Sequence, residues 1–322
     1  MSEQQIQKVK VKRLAHIGLW SADVAVQTRF YRHVLGFDLL SAEPSTHQGG
    51  ESDDLNVFLT LGEEHQCLGL FHDNRDAHPA PRRPSGPRSR LHHLSFELNS
   101  DAELAALAAR LQQTGVELRL EPRDGDSDLG DTLWFSDPNG NRIEIFVVPD
   151  DSLSHSRVAA TGKQSSLRPT GLQHIALRTN RLEEMVEFYV EELGFDISDW
   201  LLRDCAWLRC NNDHHALVLL QGQPEIDHIG YAITDRTDFF AWADHLSHHQ
   251  VPILWGPGRH GAGNDLFMQF ADVDGHHLEF SSEIQQYYDQ MVTSPPRLWH
   301  SRLMAFNLWG SLPAWIHDDK HY

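Results

Sequence analysis

The chain contains two copies of one pattern, and this repeat limits the folds that it can adopt. LAHIGLW at residues 14–20 resembles LQHIALR at 172–178, and FYRHVLGFD at 30–38 resembles FYVEELGFD at 188–196. Both pairs of segments are 158 residues apart. Because similar segments at a fixed offset indicate a duplicated structural unit, the repeat predicts two related domains.

Two later pairs of segments match at a shorter offset. LHHLSFEL at 91–98 resembles IDHIGYAI at 226–233, and FSDPNGNRIEIF at 135–146 resembles FADVDGHHLEF at 270–280, each pair being 135 residues apart. The first copy therefore carries about 23 additional residues. The segment 72–90, rich in proline and arginine, is the expected insertion because such a composition is typical of a loop, and the polar stretch around 43–54 is the second candidate.

Each copy predicts the same order of strands and helices. EEMVEFYVEEL at 183–193 has apolar residues at helical spacing, between runs that alternate as β-strands do. Residues 101–115 and 235–250 predict a second helix in each copy, with Ser100 or Asp101 as the cap of the former. Each copy therefore divides into two βαβ-type units with additional strands.

Composition narrows the class of protein. A length of 322 residues suits two domains of roughly 100–200 residues each. The net charge of −19 argues against nucleic acid and anionic membranes as partners. Cys67, Cys205 and Cys210 lack zinc-type spacing and cannot form a disulfide framework, which favours a reducing cytoplasm. The sequence shows neither a signal-like apolar segment nor a membrane span of about 20 residues.

Two histidines and one glutamate recur at matching positions, each within a short β-type run. The interval from the second histidine to the glutamate is 51 residues in both copies. A 2-His-1-carboxylate set with open positions suits non-haem Fe(II), and these ligands also accept Mn(II). A duplicated core pattern without metal would give the same match, so spacing leaves both readings open. The two sets are His16, His93 and Glu144, and His174, His228 and Glu279.

At these residues the sequence resembles the vicinal oxygen chelate superfamily, in particular its two-domain type I extradiol, catechol-cleaving dioxygenases. The segments HIALR, FYVEELGFD, HIGYAI and FADVDGHHLEF carry the resemblance, which spans roughly residues 10–285. It implies an α+β fold of tandem βαβββ modules, arranged as two glyoxalase/dioxygenase-like domains with open barrel sheets. It also implies one metal site, in the second domain, formed by His174, His228 and Glu279 around Fe(II), with Mn(II) as the alternative ion.

The repeat and the resemblance together predict the domain boundaries. Residues 1–148 form an N-terminal domain that is not expected to be catalytic, and 149–171, rich in Ser, Gly, Asp and Pro, form a linker. Residues 172–284 form the catalytic, metal-binding domain. Residues 285–322 form an aromatic tail that packs on the domains or a neighbouring subunit, or covers the site. The resemblance further implies a homo-oligomer.

Polar residues around the triads distinguish the two copies. The family has an acid/base histidine before the second ligand, and in NNDHHALVLL it aligns with His214, 14 residues before His228. A GRHG turn supplies His260, which matches another family histidine near the metal. The first copy lacks both residues, so its own triad is expected to be structural or vestigial. On a regular strand His215 would point to the opposite face, so it is expected to be structural.

Two positions depart from the family pattern. The family commonly has a tyrosine ten residues before the glutamate ligand, where this chain has Gln269. Glutamine can donate or accept a hydrogen bond, but it lacks a phenolic proton. Trp255 stands where some members have an arginine for a substrate carboxylate, which favours an uncharged, apolar substituent. Ordinary loop packing is the alternative role for Trp255.

The resemblance implies an extradiol dioxygenase that cleaves a small aromatic diol with O₂ next to the hydroxyl groups, with His214, His260 and Gln269 as catalytic residues. Two alternatives come from the same superfamily. A metal-dependent isomerase or lyase of the glyoxalase type would use the same modules, and Gln269 favours it to some extent. A ligand-binding or resistance protein without enzymatic activity is the other, against which His214 and His260 argue.

Overall fold

The computed structural model of the chain describes residues 9–44, 55–62, 67–73, 91–122, 131–148, 167–288 and 295–317. These residues form four successive βαβββ modules, two in each half of the chain, followed by a tail. The predicted insertion at 72–90 lies almost wholly outside the described residues. Of the predicted linker, only residues 167–171 are described.

The first half of the chain contains two modules. The first consists of β1 (Arg13–Ser21), α1 (Val24–His33), β2 (Asp38–Pro44), β3 (Leu55–Thr60) and β4 (Leu68–His72). The second consists of β5 (Leu91–Leu98), α2 (Asp101–Gln113), β6 (Arg119–Pro122), β7 (Asp131–Ser136) and β8 (Arg142–Val147). Their strands form one eight-stranded sheet in the order β2-β3-β4-β1-β5-β8-β7-β6.

The second half repeats this arrangement and adds one strand. The third module consists of β9 (Gly171–Thr179), α3 (Leu182–Glu191), β10 (Asp196–Leu201), β11 (Cys205–Arg209) and β12 (Leu217–Gln221). The fourth consists of β13 (Glu225–Ala232), α4 (Arg236–His248), β14 (Trp255–Arg259), β15 (Leu266–Ala271) and β16 (His277–Ser282). With β17 (Arg297–Trp299) from the tail, they form a nine-stranded sheet in the order β14-β15-β16-β13-β9-β12-β11-β10-β17.

The two sheets share one pairing scheme. In each, the first strands of two modules lie side by side and antiparallel, as β1 with β5 and β9 with β13. Each of these strands also pairs in parallel with the last strand of its own module. The predicted α+β fold of tandem βαβββ modules in two related domains is confirmed.

Local sequence explains where the helices begin and which faces they bury. Asp23 caps α1 by accepting a hydrogen bond from the Val26 amide at 2.9 Å. Of the two predicted caps of α2, it is the Ser100 hydroxyl that accepts from the Glu103 amide. The buried residues of α3 recur at helical spacing, and they are Leu182, Met185, Val186 and Tyr189. Among the described residues, the structure contains no helix long and apolar enough to cross a membrane.

Two reciprocal hydrogen bonds join the halves of the chain. The Tyr31 hydroxyl of α1 donates to Asp272 Oδ2 at 3.1 Å, and the Tyr189 hydroxyl of α3 donates to Asp137 Oδ2 at 3.0 Å. Both carboxylates lie in the DPNGN and DVDGH turns and are buried. A buried carboxylate without hydrogen-bond donors is costly. The tyrosine hydroxyl of each helix therefore stabilises a buried aspartate in the other half of the chain.

Replacement of Tyr189 by phenylalanine is expected to lower the free energy of unfolding by about 1.5–3 kcal/mol, because it removes a buried hydrogen bond to a charged group. Urea titration followed by circular dichroism measures this change. Tyr288, which is 85% exposed, provides the control, and Tyr288→Phe is expected to change stability by less than about 0.5 kcal/mol. Equal effects of the two substitutions would show that the Tyr189–Asp137 bond contributes nothing specific.

The described part of the tail packs against the second sheet. β17 pairs in parallel with β10 at its edge, and α5 (Arg302–Phe306) and α6 (Ala314–His317) follow. Ala305, Phe306, Leu312 and Ile316 join an apolar cluster with Trp207, Trp255 and Phe267. The tail therefore adds both a strand and core residues to the half of the chain that contains the predicted metal site.

Candidate metal centre

Strand register brings the predicted second triad together. His174 on β9 pairs with Gly230 on β13, Gly230 pairs with Glu279 on β16, and Glu279 pairs with Gln269 on β15. These four residues therefore form one row across the sheet. His228 lies two residues before Gly230, and so on the same face of β13. The ligand atoms of His174, His228 and Glu279 lie within 4.8 Å of one another.

Neighbouring acceptors orient the two histidine rings. Nδ1 of His174 lies 3.1 Å from Gln173 Oε1, and Nδ1 of His228 lies 2.7 Å from Asp227 Oδ1. A β-bulge between Ile226 and His228 lets Asp227 reach the ring of the next residue. Because an oxygen acceptor can only receive a hydrogen bond, each Nδ1 carries a hydrogen, and each ring in its neutral form presents Nε2 as a lone pair.

The Nε2 atoms of His174 and His228 lie 3.1 Å apart. Glu279 completes the site, with Oε1 3.6 Å from Nε2 of His174 and Oε2 3.9 Å from Nε2 of His228. Two imidazole lone pairs and a carboxylate that face one another repel unless a cation lies between them. The donor set therefore fits a divalent metal ion, with positions left open for other ligands.

Burial and charge set the protonation of the ligands. Burial lowers the pKa of His174 to about 3, so this ring is neutral. Burial also opposes the charged form of His228, but Glu279 and Asp227 outweigh it and raise its pKa. Burial disfavours the charged form of Glu279 as well, yet His228 and His260 lower its pKa to about 2. A metal therefore competes with a proton at His228 and meets an ionised Glu279.

Metal affinity is expected to fall as the pH is lowered. The raised pKa of His228 keeps a proton on this ring at pH values where a free histidine, at 6.5, has lost it. Below the raised pKa, the dissociation constant of Mn(II) should rise about tenfold for each pH unit, because binding releases one proton. Calorimetric titration between about pH 5.5 and 8.5 tests this. In Asp227→Asn the rise should begin at lower pH, and a dissociation constant independent of pH would contradict the assignment.

Gln269 and His260 both contact Glu279. Gln269 Nε2 donates to Glu279 Oε2 at 2.9 Å, and His260 Nε2 lies 3.3 Å from the same oxygen. His260 Nδ1 donates to the Phe306 carbonyl at 2.5 Å. Burial opposes the charge on His260, but Glu279 and Asp265 raise the pKa of its ring to about 9, so both nitrogens donate. Oε2 of Glu279 is therefore held by two donors, and Oε1 is the oxygen closer to His174.

The structure exchanges the predicted positions of His214 and His215. The ring of His215 lies 4.6 Å from that of His174, between centroids, whereas His214 contacts Asp199 and Arg297. The expectation that His215 points away from the site is therefore wrong. The physical reason is that β12 begins only at Leu217, so residues 214 and 215 lack the alternation of a regular strand.

Gly230 provides the space for the ring of His174. A Cβ atom at this position would lie 2.1 Å from Cε1 of His174 and 2.4 Å from its Nδ1. The first sheet has Ser95 at the corresponding place, paired with His16. The two sheets therefore differ by a side chain at the place where, in the second sheet, the ring of His174 approaches the neighbouring strand.

The first triad is arranged differently. His93 Nε2 lies 3.8 Å from Glu144 Oε2, but Nδ1 of His93 lies 2.6 Å from Nδ1 of His92, and Glu144 Oε2 accepts a hydrogen bond from the Ser95 hydroxyl. Within the described residues, ligand atoms converge in two groups, both in the second sheet. One is His174, His228 and Glu279, and the other is His260, Asp265 and Glu279.

Several residues near the site had not been identified from the sequence. They are Gln173 and Asp227 beside the histidine ligands, Asp265 beside His260, and Asp199 and Arg297 beside His214. The local signal for the first two was an acceptor directly before each histidine, in the pairs QH and DH. Asp199 and Arg297 are 98 residues apart, and no sequence pattern connects them.

The fold and the site agree with a comparison against protein families. The model described as Glyoxalase/Bleomycin resistance protein/Dioxygenase superfamily matches residues 13–145 and 171–280, which is more than half of the chain. The chain belongs to this superfamily. The two matched ranges correspond to the two sheets, and both ranges of the match contain a triad.

Curated relatives and a solved structure extend the comparison. The chain is 28% identical to an iron-dependent extradiol dioxygenase of Rhodococcus jostii, over 94% of this chain and 97% of that protein. It is 27% identical to metapyrocatechase 2 of Cupriavidus necator, over 70% of this chain and 74% of that protein. The Mn(II)-bound glyoxalase of Novosphingobium aromaticivorans is similar with a TM-score of 0.74 and 25% identity, covering 94% and 91% of the two chains.

Proposed function

We propose that the chain is an extradiol dioxygenase that opens the ring of a catechol-type diol beside its hydroxyl groups and incorporates both atoms of O₂. The observation that carries the proposal is the convergence of His174 Nε2, His228 Nε2 and the Glu279 carboxylate beside the buried ring of His215 and the partly buried ring of His260. The names of the relatives in Rhodococcus and Cupriavidus support the same activity. Fe(II) is the proposed ion, with Mn(II) as the alternative.

His174, His228 and Glu279 would hold the ion through two imidazole nitrogens and one carboxylate. When bound, Fe(II) would bind the diol and O₂ together and provide a path for electrons from the diol to O₂. The two substrates are then close and oriented, so their reaction needs no further encounter. Because the diol provides the electrons, no external reductant is required.

The protein residues move the protons. The diol loses protons as its oxygens bind, and the ring-opened product takes one back, so one neutral imidazole can serve first as base and then as acid. We assign this role to His215, because its ring lies beside His174 and burial lowers its pKa. His260, Gln269 and Glu279 form a hydrogen-bonded group that keeps the carboxylate in place.

Replacement of His215 by phenylalanine is expected to lower kcat by about 10²–10⁴-fold, because it removes the proposed acid/base group. Metal content should remain that of the unchanged protein, since His215 is not among the converging ligands. Oxygen uptake and metal analysis on the same preparation measure both quantities. His248→Phe, in the last turn of α4, is the control. An unchanged kcat in His215→Phe would remove His215 from this role.

Trp255 supports a preference for an uncharged, apolar substituent on the diol. Trp255 on β14 pairs with Gln269 on β15, and its indole contacts the rings of Phe267 and His260. Its Nε1 donates to the Ser311 carbonyl, so its hydrogen-bonding group is already used by the tail. Catechols with an alkyl substituent should therefore have a higher kcat/KM than those with a carboxylate.

Two further properties belong to this proposal. Exposed apolar side chains on the tail support a homo-oligomer, which sedimentation velocity would measure; they include Leu298, Met304 and Trp309. The three cysteines are buried thiols, which supports a reducing compartment such as the cytoplasm.

One experiment separates the candidate functions. The protein is loaded with Fe(II) without oxygen and mixed with a panel of catechols, and O₂ is then admitted. O₂ uptake equal to diol consumption, with a coloured ring-opened product, is the expected result. Substrate conversion without O₂ uptake would replace the proposal by an isomerase or lyase. Binding without conversion of any diol would replace it by a ligand-binding protein.

A further inference from the structure

Asp199 of β10 is buried beneath the tail and lies next to His214. Arg297 of β17 donates to both of its oxygens, from Nε to Oδ1 at 2.8 Å and from Nη2 to Oδ2 at 2.9 Å. Trp299 Nε1 donates to Oδ2 at 2.7 Å. A buried carboxylate with three donors is held in one orientation, and the strand of the tail provides all three.

His214 links this carboxylate to His215. Its Nε2 lies 3.2 Å from Asp199 Oδ2, and its Nδ1 lies 3.0 Å from Nδ1 of His215. Its backbone is also held, because its amide donates to the Gln285 carbonyl and its carbonyl accepts from the Ser198 hydroxyl. The three side chains therefore form a continuous line from the tail to the ring beside His174.

The hydrogens along this line can be assigned from donors and acceptors. Only one hydrogen fits between the two Nδ1 atoms, so one ring donates there and the other accepts. Nε2 of His214 faces the Asp199 carboxylate and also Arg297 Nη2, at 3.1 Å. Arg297 directs its Nε hydrogen and one Nη2 hydrogen to Asp199. Although burial opposes its charge, Asp199 has a lowered pKa, to which the hydrogen bond with His214 contributes, so the carboxylate is ionised and Oδ2, 3.2 Å away, favours a hydrogen rather than a lone pair on Nε2 of His214. Nε2 of His214 therefore carries the hydrogen.

We propose that Asp199 and His214 hold His215 in the tautomer with its hydrogen on Nδ1, and that Arg297 and Trp299 hold Asp199, so the tail completes the active site. His214 Nδ1 then accepts from His215 Nδ1, which leaves Nε2 of His215 as a lone pair. That lone pair is the form needed to accept a proton from a diol. Asp199, His214 and Arg297 are positioning residues, and this inference rests on the proposed function.

The tautomers can be measured without turnover. In the full chain labelled with ¹⁵N-histidine and loaded with Zn(II), a diamagnetic substitute, His215 should show a protonated Nδ1 and an unprotonated Nε2. His214 should show the opposite pattern, and His214→Phe and His215→Phe assign the two sets of resonances. A protonated Nδ1 on His214 or a protonated Nε2 on His215 would overturn the assignment.

Asp199→Asn tests the effect on the reaction. The amide can donate to Nε2 of His214, which reverses both tautomers and leaves His215 without an acceptor for the diol proton. We expect kcat to fall by about 10²–10⁴-fold, as for loss of acid/base catalysis, while Mn(II) affinity is retained. Asp204→Asn is the matched control, because Asp204 pairs with Arg302 of the tail at 3.1 Å but does not contact His214. Its kcat should be unchanged.

Non-additivity separates this inference from a structural role. His214→Phe is expected to lower kcat about as much as Asp199→Asn, and the double variant should lose little more, because both act through His215. Additive losses, or an unchanged kcat in Asp199→Asn, would overturn the inference while leaving the proposed function intact. If the unchanged protein consumes no O₂ with any diol, the proposed function fails, and the tautomers of the Zn(II)-loaded chain still decide the hydrogen-bond assignment.

Discussion

In a Gly230→Ser variant, metal binding is expected to be lost, although no ligand has been changed. An added Cβ would lie 2.1 Å from Cε1 of His174 and 2.5 Å from its Nε2, so the ring has to leave its position. The dissociation constant of Mn(II) should rise by more than the roughly 100-fold that marks the upper range for loss of a group supporting a ligand. Calorimetric titration and metal analysis measure this change.

Gly222→Ser is the matched control for this prediction. An added Cβ at Gly222 meets nothing closer than 3.4 Å, so the variant should bind Mn(II) as the unchanged protein does. Circular dichroism of both variants shows whether the sheet has formed. If folded Gly230→Ser binds Mn(II) with unchanged affinity, the ring of His174 does not occupy the position over β13, and the ligand geometry described above is wrong.

Glu279→Ala is expected to remove the metal as well, by a different route. The substitution deletes the one carboxylate among the three ligands and leaves two neutral imidazoles, of which His228 then lacks the carboxylate that most strongly raises its pKa. Without an anionic ligand the site also loses its charge complementarity to a divalent cation. Metal content should fall from one ion per chain to none after dialysis, and O₂ uptake should disappear with it.

Glu144→Ala in the first sheet provides the control at the corresponding position. Its carboxylate accepts from Ser95 and is not part of a converging group of ligands within the described residues. Because Glu144 belongs to the other sheet and the ligand atoms of His174, His228 and Glu279 converge without it, Mn(II) affinity at the second triad should change by less than about threefold. Loss of metal in Glu144→Ala, or its retention in Glu279→Ala, would place the ion in the other half of the chain.

The fold was largely predictable from the repeat. Segments that match at offsets of 158 and 135 residues define four units, and apolar periodicity within each unit identifies its helix and strands. His174 and Glu279 lie in one row because β13 pairs with β9 on one side and with β16 on the other.

The choice between His214 and His215 was not predictable in this way. Alignment with the family motif favours His214, and on a regular strand its neighbour His215 would point to the opposite face. The strand begins only at Leu217, and the two histidines before it contact each other through their Nδ1 atoms. Which ring reaches His174 depends on the path of an irregular segment, and hydrophobic periodicity contains no information about that path.

The difference between the two triads also required the structure. Both copies contain two histidines and a glutamate at the same intervals, so residue types and spacing alone treat them as equivalent. Ligand geometry depends on the neighbours of those residues across strands, where Gly230 faces one histidine and Ser95 faces the other. The contacts of Asp199 with Arg297 and Trp299 likewise join segments about one hundred residues apart.

Local chemistry and periodicity were thus sufficient for the modules, the duplicated domains and the identity of the candidate ligands, because these depend on residues near one another in the chain. Packing between distant segments underlies the proposed acid/base role of His215 and the contacts of the tail with His214. The same packing brings ligand atoms together at the second triad but, among the described residues, not at the first. Such contacts form only in the folded protein, because the position of each ring and the direction of each hydrogen bond depend on all the side chains packed around it.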